Sequence, residues 1–443
     1  MLTAISPIDG RYSRQTQVLS SCFSEFALIK YRIKVELAYF QQLHLHGVGD
    51  LKKLHQIPEE LGNAIEHLTE EDAKKVKEIE RTTNHDVKAV EYYLRDLFEK
   101  HGLQDYLEYI HFGLTSQDIN NTAFPLMMKE AASQVMNPGL EKLIAGIRSL
   151  ADKYPQLPML AHTHGQPASP TTFKKEMFVF IERLELQYEQ LKGMPFVAKF
   201  GGATGNFNAH KLTFPDVNWP EFADQFIQQL GLTRLKTTTQ ITHYDQEAAY
   251  FHQWIRINTI LIDFCRDIWT YISMNYIKQK AIANEVGSSA MPHKVNPIDF
   301  ENAEGNLMLA NALLGFLAEK LPVSRLQRDL TDSTVLRNVG VPMAHILIAI
   351  NSICKGLDKL SPDEHKITSD LSQNIAVIAE GIQSILRREG VAHPYELLKQ
   401  FTRGKETLTM ESFQQFIDEL PVNKEVKAEL RQLSPLTYIG YSM

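Results

Sequence analysis

Residues 245–286 contain neither glycine nor proline over forty-two consecutive positions, and this run constrains the fold more than any other sequence feature. Nothing in it ends or kinks a helix, and a continuous helix of that length would extend about 60 Å. Apolar residues follow two stripes at helical spacing: Phe251, Ile255, Ile262, Trp269 and Ile272 on one, and Trp254, Ile257, Leu261, Phe264, Ile268 and Tyr271 on the other. A helix that is apolar on more than one face is surrounded by other helices. The run therefore predicts one long helix in a bundle, and it favours a bundle shared between subunits.

The remainder of the sequence also favours helices. A second helical stretch without glycine or proline covers residues 171–192, another begins at Leu307, and residues 68–100 form a charged helical run with a solvated face. Alternating strand-like runs are scarce. At roughly 150 residues per domain, the 443 residues correspond to about three domains. We predict an all-α fold of three helical domains: an N-terminal domain at 1–112, a central long-helix bundle at 113–360, and a C-terminal domain of shorter helices at 361–443.

Charge and cysteine content exclude several classes of protein. The chain carries 46 Lys and Arg against 53 Asp and Glu, a net charge of −7. No sequence-wide basic field is present to bind nucleic acid or an anionic membrane, although a local basic pocket for one small anion is compatible with this balance. The three cysteines contain no CxxC pair, no uncharged apolar run reaches 18 residues, and the first residues do not resemble a secretory signal. We expect a cytoplasmic protein with no nucleic-acid or membrane partner.

Two histidine pairs suggest a metal site and one glycine-rich segment suggests a phosphate-binding loop, but the surrounding sequence supports neither. His162 with His164, and His44 with His46, lack the third and fourth ligands of a zinc site at recognisable spacing. We predict no metal and no cofactor. The glycines of residues 201–205 lack the Lys and Ser/Thr of a phosphate-binding loop, and no convincing strand precedes them. We interpret this segment as a close-packed turn between helices.

Four segments outside the periodic pattern concentrate polar side chains: residues 82–86, 115–118, 163–167 and 287–297. Each by itself is typical of a turn or a helix cap. The last segment carries more chemistry, because Ser288 and Ser289 follow a glycine and precede Lys294. A serine hydroxyl keeps its proton at neutral pH, so it acts as a base only where a cation, backbone amides or a helix N-terminus stabilise the alkoxide.

Residues 287–301 resemble the signature loop of the fumarase/aspartase superfamily, whose pattern GSSxMPxKxNxxxxE fixes eight positions in fifteen. One departure is Val295, where many relatives carry Arg, and its apolar side chain weakens any role for this position in binding charge. The segments SPIDGRY, RTTNHDVKAVE, THGQPA and RDLTDSTVLRN support the resemblance and extend it over nearly the whole chain.

The resemblance implies a central bundle of five long helices that assembles into a homotetramer, with each active site built from three subunits. It implies β-elimination of fumarate from adenylosuccinate, giving AMP, and from succinyl-aminoimidazole carboxamide ribotide (SAICAR), giving AICAR. Two alternatives stay open: another lyase of the superfamily, such as argininosuccinate lyase or fumarase, and a non-catalytic helical scaffold. Residues 84–86 and 328–337 favour a nucleotide, and the presence of every expected catalytic side chain disfavours a scaffold.

The same resemblance implies roles for individual residues. Ser288 is the base, Lys294 and Asn296 position the succinyl carboxylate, and His164 is the general acid. Glu301 orients His164, and His85 lies near the phosphate end of the substrate or supports the acid. The remaining positions implied to contact substrate are Arg11, Tyr12, Asn84, Asp86, Thr115, Ser116, Gln240, Ser289, Val295, Asn302, Arg328, Ser333, Thr334 and Arg337.

Overall fold

A computed structural model describes residues 2–280, 291, 294–402 and 408–441, and helices account for most of this part of the chain. The all-α fold class is confirmed. The α-helices of the described residues are α1 (Ser13–Thr16), α2 (Ser20–Phe23), α3 (Glu25–Leu45), α4 (Glu59–Gly62), α5 (Glu70–Thr83), α6 (Asp86–Lys100), α7 (Ser116–Ala131), α8 (Asn137–Asp152), α9 (Phe173–Lys192), α10 (Asn208–Thr213), α11 (Trp219–Gln229), α12 (Asp245–Ser273), α13 (Ile298–Lys320), α14 (Thr331–Leu336), α15 (Gly340–Leu357), α16 (Glu364–Gln373), α17 (Ala379–Arg388), α18 (Pro394–Thr402), α19 (Met410–Glu419) and α20 (Lys424–Arg431). A π-helical turn, Ala132–Met136, joins α7 to α8.

The strands are two or three residues long and form isolated pairs. They are β1 (Pro158–Met159), β2 (His162–Thr163), β3 (Gln166–Pro167), β4 (Thr171–Thr172), β5 (Val197–Lys199), β6 (Thr233–Leu235), β7 (Ile277–Gln279) and β8 (Leu360–Pro362). β1 pairs with β4, β2 with β3 and β7 with β8, all antiparallel, whereas β5 and β6 are parallel. The sequence interpretation that no convincing strand precedes the glycine-rich turn was wrong, because β5 ends two residues before Gly201.

The long helix α12 is shorter than the sequence predicts. It ends at Ser273 after 29 residues, so the expected continuous helix over residues 245–286 was wrong. Asn275 adopts a left-handed backbone with φ of 60°, and the Tyr276 amide donates to the Tyr271 carbonyl at 2.8 Å. This bonding pattern with Asn in the left-handed position is a helix C-cap that needs no glycine. On α12 the stripe containing Trp254 and Phe264 is buried, whereas Trp269 on the other stripe is 46% exposed.

The charged run at residues 68–100 is two helices and not one. Thr69 and Asp72 form a reciprocal capping box at the start of α5. Asn84 ends α5 in a left-handed conformation with φ of 51°, and the His85 side chain caps α6. Only Ala73 and Val76 of α5 are buried, as expected for a helix with a solvated charged face.

The chain divides into two compact units. The first contains residues 1–141, 187–259 and 305–351, and the second contains residues 142–186, 260–304 and 352–443. In the first unit α3 is buried along most of its length, and Tyr39 makes edge contacts with the rings of Phe200, Phe222 and Phe226. The predicted domain limits at 112/113 and 360/361 stay a prediction.

The C-terminal part of the second unit has its own apolar core. Helices α16–α20 are short, as the sequence predicts, and each contributes buried side chains to one cluster. Leu371, Ile382, Phe413 and Leu430 are each at most 1% exposed. Elsewhere, one stretch of the described residues, Thr331–Leu357, is long and apolar enough on length and composition to cross a membrane, but 61% of its most apolar window is buried inside the protein, as in a core helix.

Candidate active site

The junction between α5 and α6 brings His85 close to Ser116, and both are predicted to contact substrate. The left-handed turn at Asn84 places His85 at the helix start, where its Nδ1 accepts a hydrogen bond from the Lys88 amide at 3.0 Å. Because Nδ1 is the acceptor, Nε2 carries the hydrogen of the neutral ring. Nε2 lies 3.4 Å from the Ser116 hydroxyl. His85 therefore presents a donor toward the N-terminus of α7.

Asp86 joins two arginines. Its Oδ2 accepts from Arg32 at 2.6 Å and from Arg337 at 2.7 Å. Burial opposes the charged carboxylate, but the two guanidinium groups outweigh it and lower the pKa of Asp86 to about 2. Arg337 also donates to Glu25 at 3.1 Å. Both Asp86 and Arg337 were predicted to contact substrate. The structure brings them together as an ion pair with each other.

Arg32 is a site residue that the sequence analysis missed. Its side chain is 2% exposed, and its Nε donates to the Asn120 side chain at 2.9 Å. The available signal was a charged residue among the apolar residues of α3. An arginine is almost never fully buried unless it is paired, so a buried Arg32 requires an acidic partner. The partner, Asp86, lies too far along the chain for a sequence pattern to indicate it.

Arg328 and Ser333 form the second predicted group in the first unit. Arg328 Nη2 donates to the Ser333 hydroxyl at 2.7 Å, and the guanidinium lies 3.4 Å from Asp332. With its amide oriented so that the oxygen faces Arg328, Gln117 accepts from Nη2 at 2.6 Å. Asp332 is itself held by the Tyr244 hydroxyl at 3.0 Å. Thr334, by contrast, is exposed.

A buried ion pair supports the start of α7. The carboxylate of Asp118 accepts from Lys199 Nζ at 2.8 Å, and both side chains are 0% exposed. The same carboxylate accepts from the amides of Thr115 and Gly201, each at 2.8 Å, and from the Gly202 amide. The pair therefore ties the predicted binding residues Thr115 and Ser116 to the glycine-rich turn. Asp118 lies in the polar segment 115–118 identified from the sequence, but its partner Lys199 is 81 residues away and was not predicted.

The glycine-rich turn is close-packed, as predicted, but it lies between β5 and α10 and not between two helices. A Cβ on Gly201 would lie 2.8 Å from the Gly205 carbonyl oxygen, so no larger residue fits there without movement. The Ala203 carbonyl accepts from the side chain of Gln240, another predicted binding residue, at 3.3 Å. The turn thus connects Gln240 to the Asp118–Lys199 pair.

The N-terminal segment contributes a cavity. Arg11 lies over the ring of Tyr12 at 5.9 Å. Residues on and next to α1 and α2, together with Arg337 and the start of α15, line a cavity of about 340 Å³. Its polar lining includes the hydroxyl-bearing residues Ser6, Ser13, Thr16, Ser20 and Ser24. The Asp9 carboxylate also lines this cavity, and the Arg337 guanidinium in it is already paired with Asp86 and Glu25.

His111 belongs to a buried charged cluster next to these segments. Its Nδ1 lies 2.6 Å from Glu36 and its Nε2 lies 3.7 Å from Glu91. Burial disfavours protonation, but the two carboxylates outweigh it and raise the pKa of His111 to about 8. Glu36 is 1% exposed on its side chain, so this imidazolium supplies the positive partner that a buried carboxylate needs.

The second unit presents His164 at the tip of a hairpin. β2 and β3 are joined by His164 and Gly165, whose φ angles are 53° and 72°. Positive φ at both central residues is typical of a two-residue hairpin turn, and Gly at the second position suits it. Both residues are exposed. The predicted general acid therefore projects from a tight turn.

The signature segment, residues 287–301, lies in the second unit and is described only in part. Ser288 and Ser289 fall outside the described residues. Lys294 and Val295 are exposed, and Asn296 is half-buried. Glu301 accepts from the Trp269 indole at 3.1 Å, and the Asn302 side chain accepts from the Ser352 hydroxyl at 2.8 Å. The predicted pairing of Glu301 with His164 stays a prediction.

Within residues 2–280, 291, 294–402 and 408–441, no group of three His, Cys, Asp or Glu side chains could hold a metal ion. The ring nitrogens of one histidine pair have other partners: His44 lies 3.1 Å from the Leu51 carbonyl, and His46 lies 3.0 Å from the Gln42 carbonyl. All three cysteines are free thiols. The predicted absence of a cofactor stays a prediction.

Known families match this chain over nearly its full length. A family described as "Lyase" matches residues 10–313, and one described as "Adenylosuccinate lyase C-terminal" matches residues 324–439. The chain is 53% identical over 452 residues to an adenylosuccinate lyase of Dictyostelium discoideum, covering 99% of this chain and 97% of that protein. It is 48% identical over 447 residues to an adenylosuccinate lyase of Escherichia coli, with the same coverage of both.

Among solved structures, a 3-carboxy-cis,cis-muconate lactonizing enzyme from Pseudomonas putida has the same fold. The TM-score is 0.74 at 20% identity, covering 96% of this chain and 94% of that one. At this identity the likeness concerns the fold alone. The sequence matches, in contrast, extend through both described units and all four polar segments, and the chain belongs to the adenylosuccinate lyase family.

Proposed function

We propose that this lyase cleaves adenylosuccinate to AMP and fumarate, and SAICAR to AICAR and fumarate. The observation that carries the proposal is the cluster of Arg328, Ser333 and Gln117, in a chain of this family. The Arg328 guanidinium, on a side chain that is 18% exposed, lies 2.7 Å from the Ser333 hydroxyl and 2.6 Å from the Gln117 amide oxygen. Such forked donors suit a carboxylate or a phosphate, and both substrates carry both groups.

The reaction requires three contributions from the protein. A base removes the Cβ proton of the succinyl group, the neighbouring carboxylate accepts the developing charge, and the departing nitrogen takes the electron pair of the broken C–N bond together with a proton. The carbon–carbon double bond of fumarate forms in the same process. We assign Ser288 as the base, with Lys294 and Asn296 on the carboxylate.

His164 is the proton donor in this proposal. Histidine is the side chain most often used as a general acid, because a protonated imidazole can release its proton to a departing nitrogen. The exposed position of His164 at a hairpin tip leaves it accessible to a ligand. Glu301 orients this ring, and His85 supports the acid or the phosphate end of the substrate. Because His85 presents Nε2–H, it donates to an oxygen there.

The remaining residues bind the nucleotide and the succinyl group. They divide between the first unit, with Arg11, Tyr12, Asn84, Asp86, Thr115, Ser116, Gln240, Arg328, Ser333, Thr334 and Arg337, and the second unit, with Ser289, Val295 and Asn302. Arg337 already donates to Asp86 and Glu25, so its further donors are the ones available to an oxyanion.

The enzyme acts as a cytoplasmic homotetramer in this proposal, with residues of several copies at each site. Support comes from α13, where Met308, Leu309 and Phe316 are each at least 53% exposed. Leu309 and Phe316 are seven residues apart, about two turns, and therefore share a helix face, with Met308 next to Leu309; exposed apolar faces mark interaction surfaces. A second copy of the same helix is the occupant that a long-helix bundle favours.

A substrate panel tests the activity. The purified protein is mixed separately with adenylosuccinate, SAICAR, argininosuccinate and malate, and fumarate is measured. We expect release from the first two only. Release from argininosuccinate or malate in their place would assign the chain to another lyase chemistry. An absence of release from all four would support the scaffold alternative and overturn the proposal.

A further inference from the structure

Lys359 contacts the chain at two points, at Lys280 before the signature segment and at Asp299 near the end of that segment. Its carbonyl oxygen accepts from the Lys280 amide at 2.8 Å, next to the antiparallel pair in which Gln279 lies opposite Leu360. Its Nζ donates to the carboxylate of Asp299 at 2.8 Å, one residue into α13. Lys359 therefore contacts both the residue that follows β7 and the first turn of α13.

This contact is buried and close-packed. Lys359 and Asp299 are each 8% exposed, so their ion pair is shielded from water and salt. A Cβ on Gly356 would meet the Phe300 ring at 2.7 Å and Asp299 Cβ at 3.3 Å, which leaves α15 no room to move toward α13. The arrangement fixes the start of α13 against the end of α15.

Hydrogen bonds connect β7 and α13 to the segment that carries the proposed substrate-binding residues Lys294 and Asn296. The Gln279 side chain donates to the Val295 carbonyl at 3.2 Å, between Lys294 and Asn296. The Pro297 carbonyl accepts from the amides of Phe300 and Glu301, each at 3.1 Å. The backbone of residues 294–297 is thus attached at one end to β7 and at the other to α13, and Lys359 holds both.

We propose that Lys359 is a positioning residue for the elimination, which acts by fixing the backbone that carries Lys294 and Asn296. The inference rests on the proposed function, because it requires these two side chains to act on the succinyl half of the substrate. A misplacement of about 1 Å at reacting groups costs on the order of 100-fold in rate. Loss of the Lys359 ammonium should therefore affect turnover more than nucleotide binding.

The test compares Lys359→Met, Lys359→Arg and the matched control Lys355→Met in the full chain. Lys355 is the control because it lies 3.6 Å from the other oxygen of Asp299 and is 54% exposed. The readouts are kcat and KM for adenylosuccinate, competitive inhibition by AMP, oligomeric state and melting temperature. Turnover by the unchanged protein in the same assay tests the proposed function separately.

We expect Lys359→Met to lower kcat about 100-fold while AMP inhibition stays within about twofold. Lys359→Arg should recover most of the rate, and Lys355→Met should retain it. An unchanged kcat, an equal loss in Lys355→Met, or a parallel loss of AMP affinity would each overturn the proposal. If Lys359→Met does not fold, Asp299→Asn replaces it as the test, because asparagine still offers Lys359 a hydrogen-bond acceptor but no charge. We expect this variant to have a kcat about tenfold lower and to retain inhibition by AMP. An unchanged kcat there would overturn the proposal.

Discussion

His164 lies where the backbone itself limits which substitution can test its chemistry. Its φ of 53° is in the left-handed region, which Asn tolerates better than most residues. His164→Asn therefore keeps the hairpin and removes the acid. We predict a loss in kcat of about 10²–10⁴-fold, the range for a general acid. Steady-state fumarate release measures it.

The control for this prediction is His162→Asn on the same hairpin, which we expect to retain turnover within about threefold because surface substitutions away from a site change little. A His164→Asn enzyme with near-normal kcat would remove this residue from the role of general acid. An equal loss in both variants would indicate that the hairpin, and not the imidazole, was damaged.

The buried His111 cluster makes a separate prediction about pH and stability. The pKa of His111 is about 8 against an ordinary 6.5, so its protonation stabilises the folded state fully below pH 6.5, and this contribution is lost as the pH rises through 8. The difference corresponds to about 2 kcal/mol. Urea unfolding at fixed protein concentration, at about pH 6 and about pH 9, measures it.

The matched variant is His111→Asn, because the φ of 56° at this position again suits Asn. We expect this variant to be less stable than the unchanged protein at low pH and to lack most of the loss between the two pH values. A pH dependence identical in both proteins would mean that other groups titrate over this range and that His111 does not.

Residues of the site were predictable where a motif carried them and unpredictable where a partner lay far along the chain. His85 and Ser116 lie in polar segments identified from the sequence, and Arg328 was predicted through the family resemblance; the structure places each of them beside another predicted residue. Arg32 and Lys199 were missed, because each is a buried cation whose carboxylate partner, Asp86 or Asp118, comes from a distant segment of the chain.

At the scale of elements, α12 shows how a helix end can be hidden in a run without glycine. Asn275 takes the left-handed C-cap position with φ of 60°. Asn275→Ala should destabilise the protein by about 1 kcal/mol, because a Cβ-bearing residue without a polar side chain disfavours this conformation. Thermal or urea unfolding of the variant measures the loss.

Asn275→Gly is the control for the same position. Glycine adopts the left-handed conformation readily, so this variant should match or exceed the stability of the unchanged protein. If Ala and Gly were equally stable at position 275, the left-handed cap would not be what ends α12.

Helix type was predictable from periodicity, whereas helix length was not. The stretch at residues 171–192 appears as α9, and the short C-terminal helices appear as expected. The errors at α12 and between α5 and α6 share one cause: Asn in a left-handed cap ends a helix without the glycine or proline that a sequence pattern normally marks.

At the scale of the whole molecule, the proposed site residues divide between two units that are each interrupted twice in sequence. A net charge of −7 does not prevent such a chain from holding a polyanionic nucleotide, because a few Arg, Lys and His side chains need only converge locally. Net charge thus argues against nonspecific binding of nucleic acid, but it does not argue against a pocket for a single nucleotide.

The most direct test of the whole account mixes two variants: His164→Asn from the second unit, in which we expect turnover to be lost, and Arg328→Ala from the first, in which we expect substrate binding to be weakened. The substrate concentration is one at which each variant alone releases little fumarate. After dissociation and joint reassembly, fumarate release from adenylosuccinate is measured. If each site takes these residues from different copies, random mixing leaves about a quarter of the sites intact, so activity should return to about 25% of the unchanged enzyme. Mixed tetramers that form but release no more fumarate than either variant alone would contradict the account.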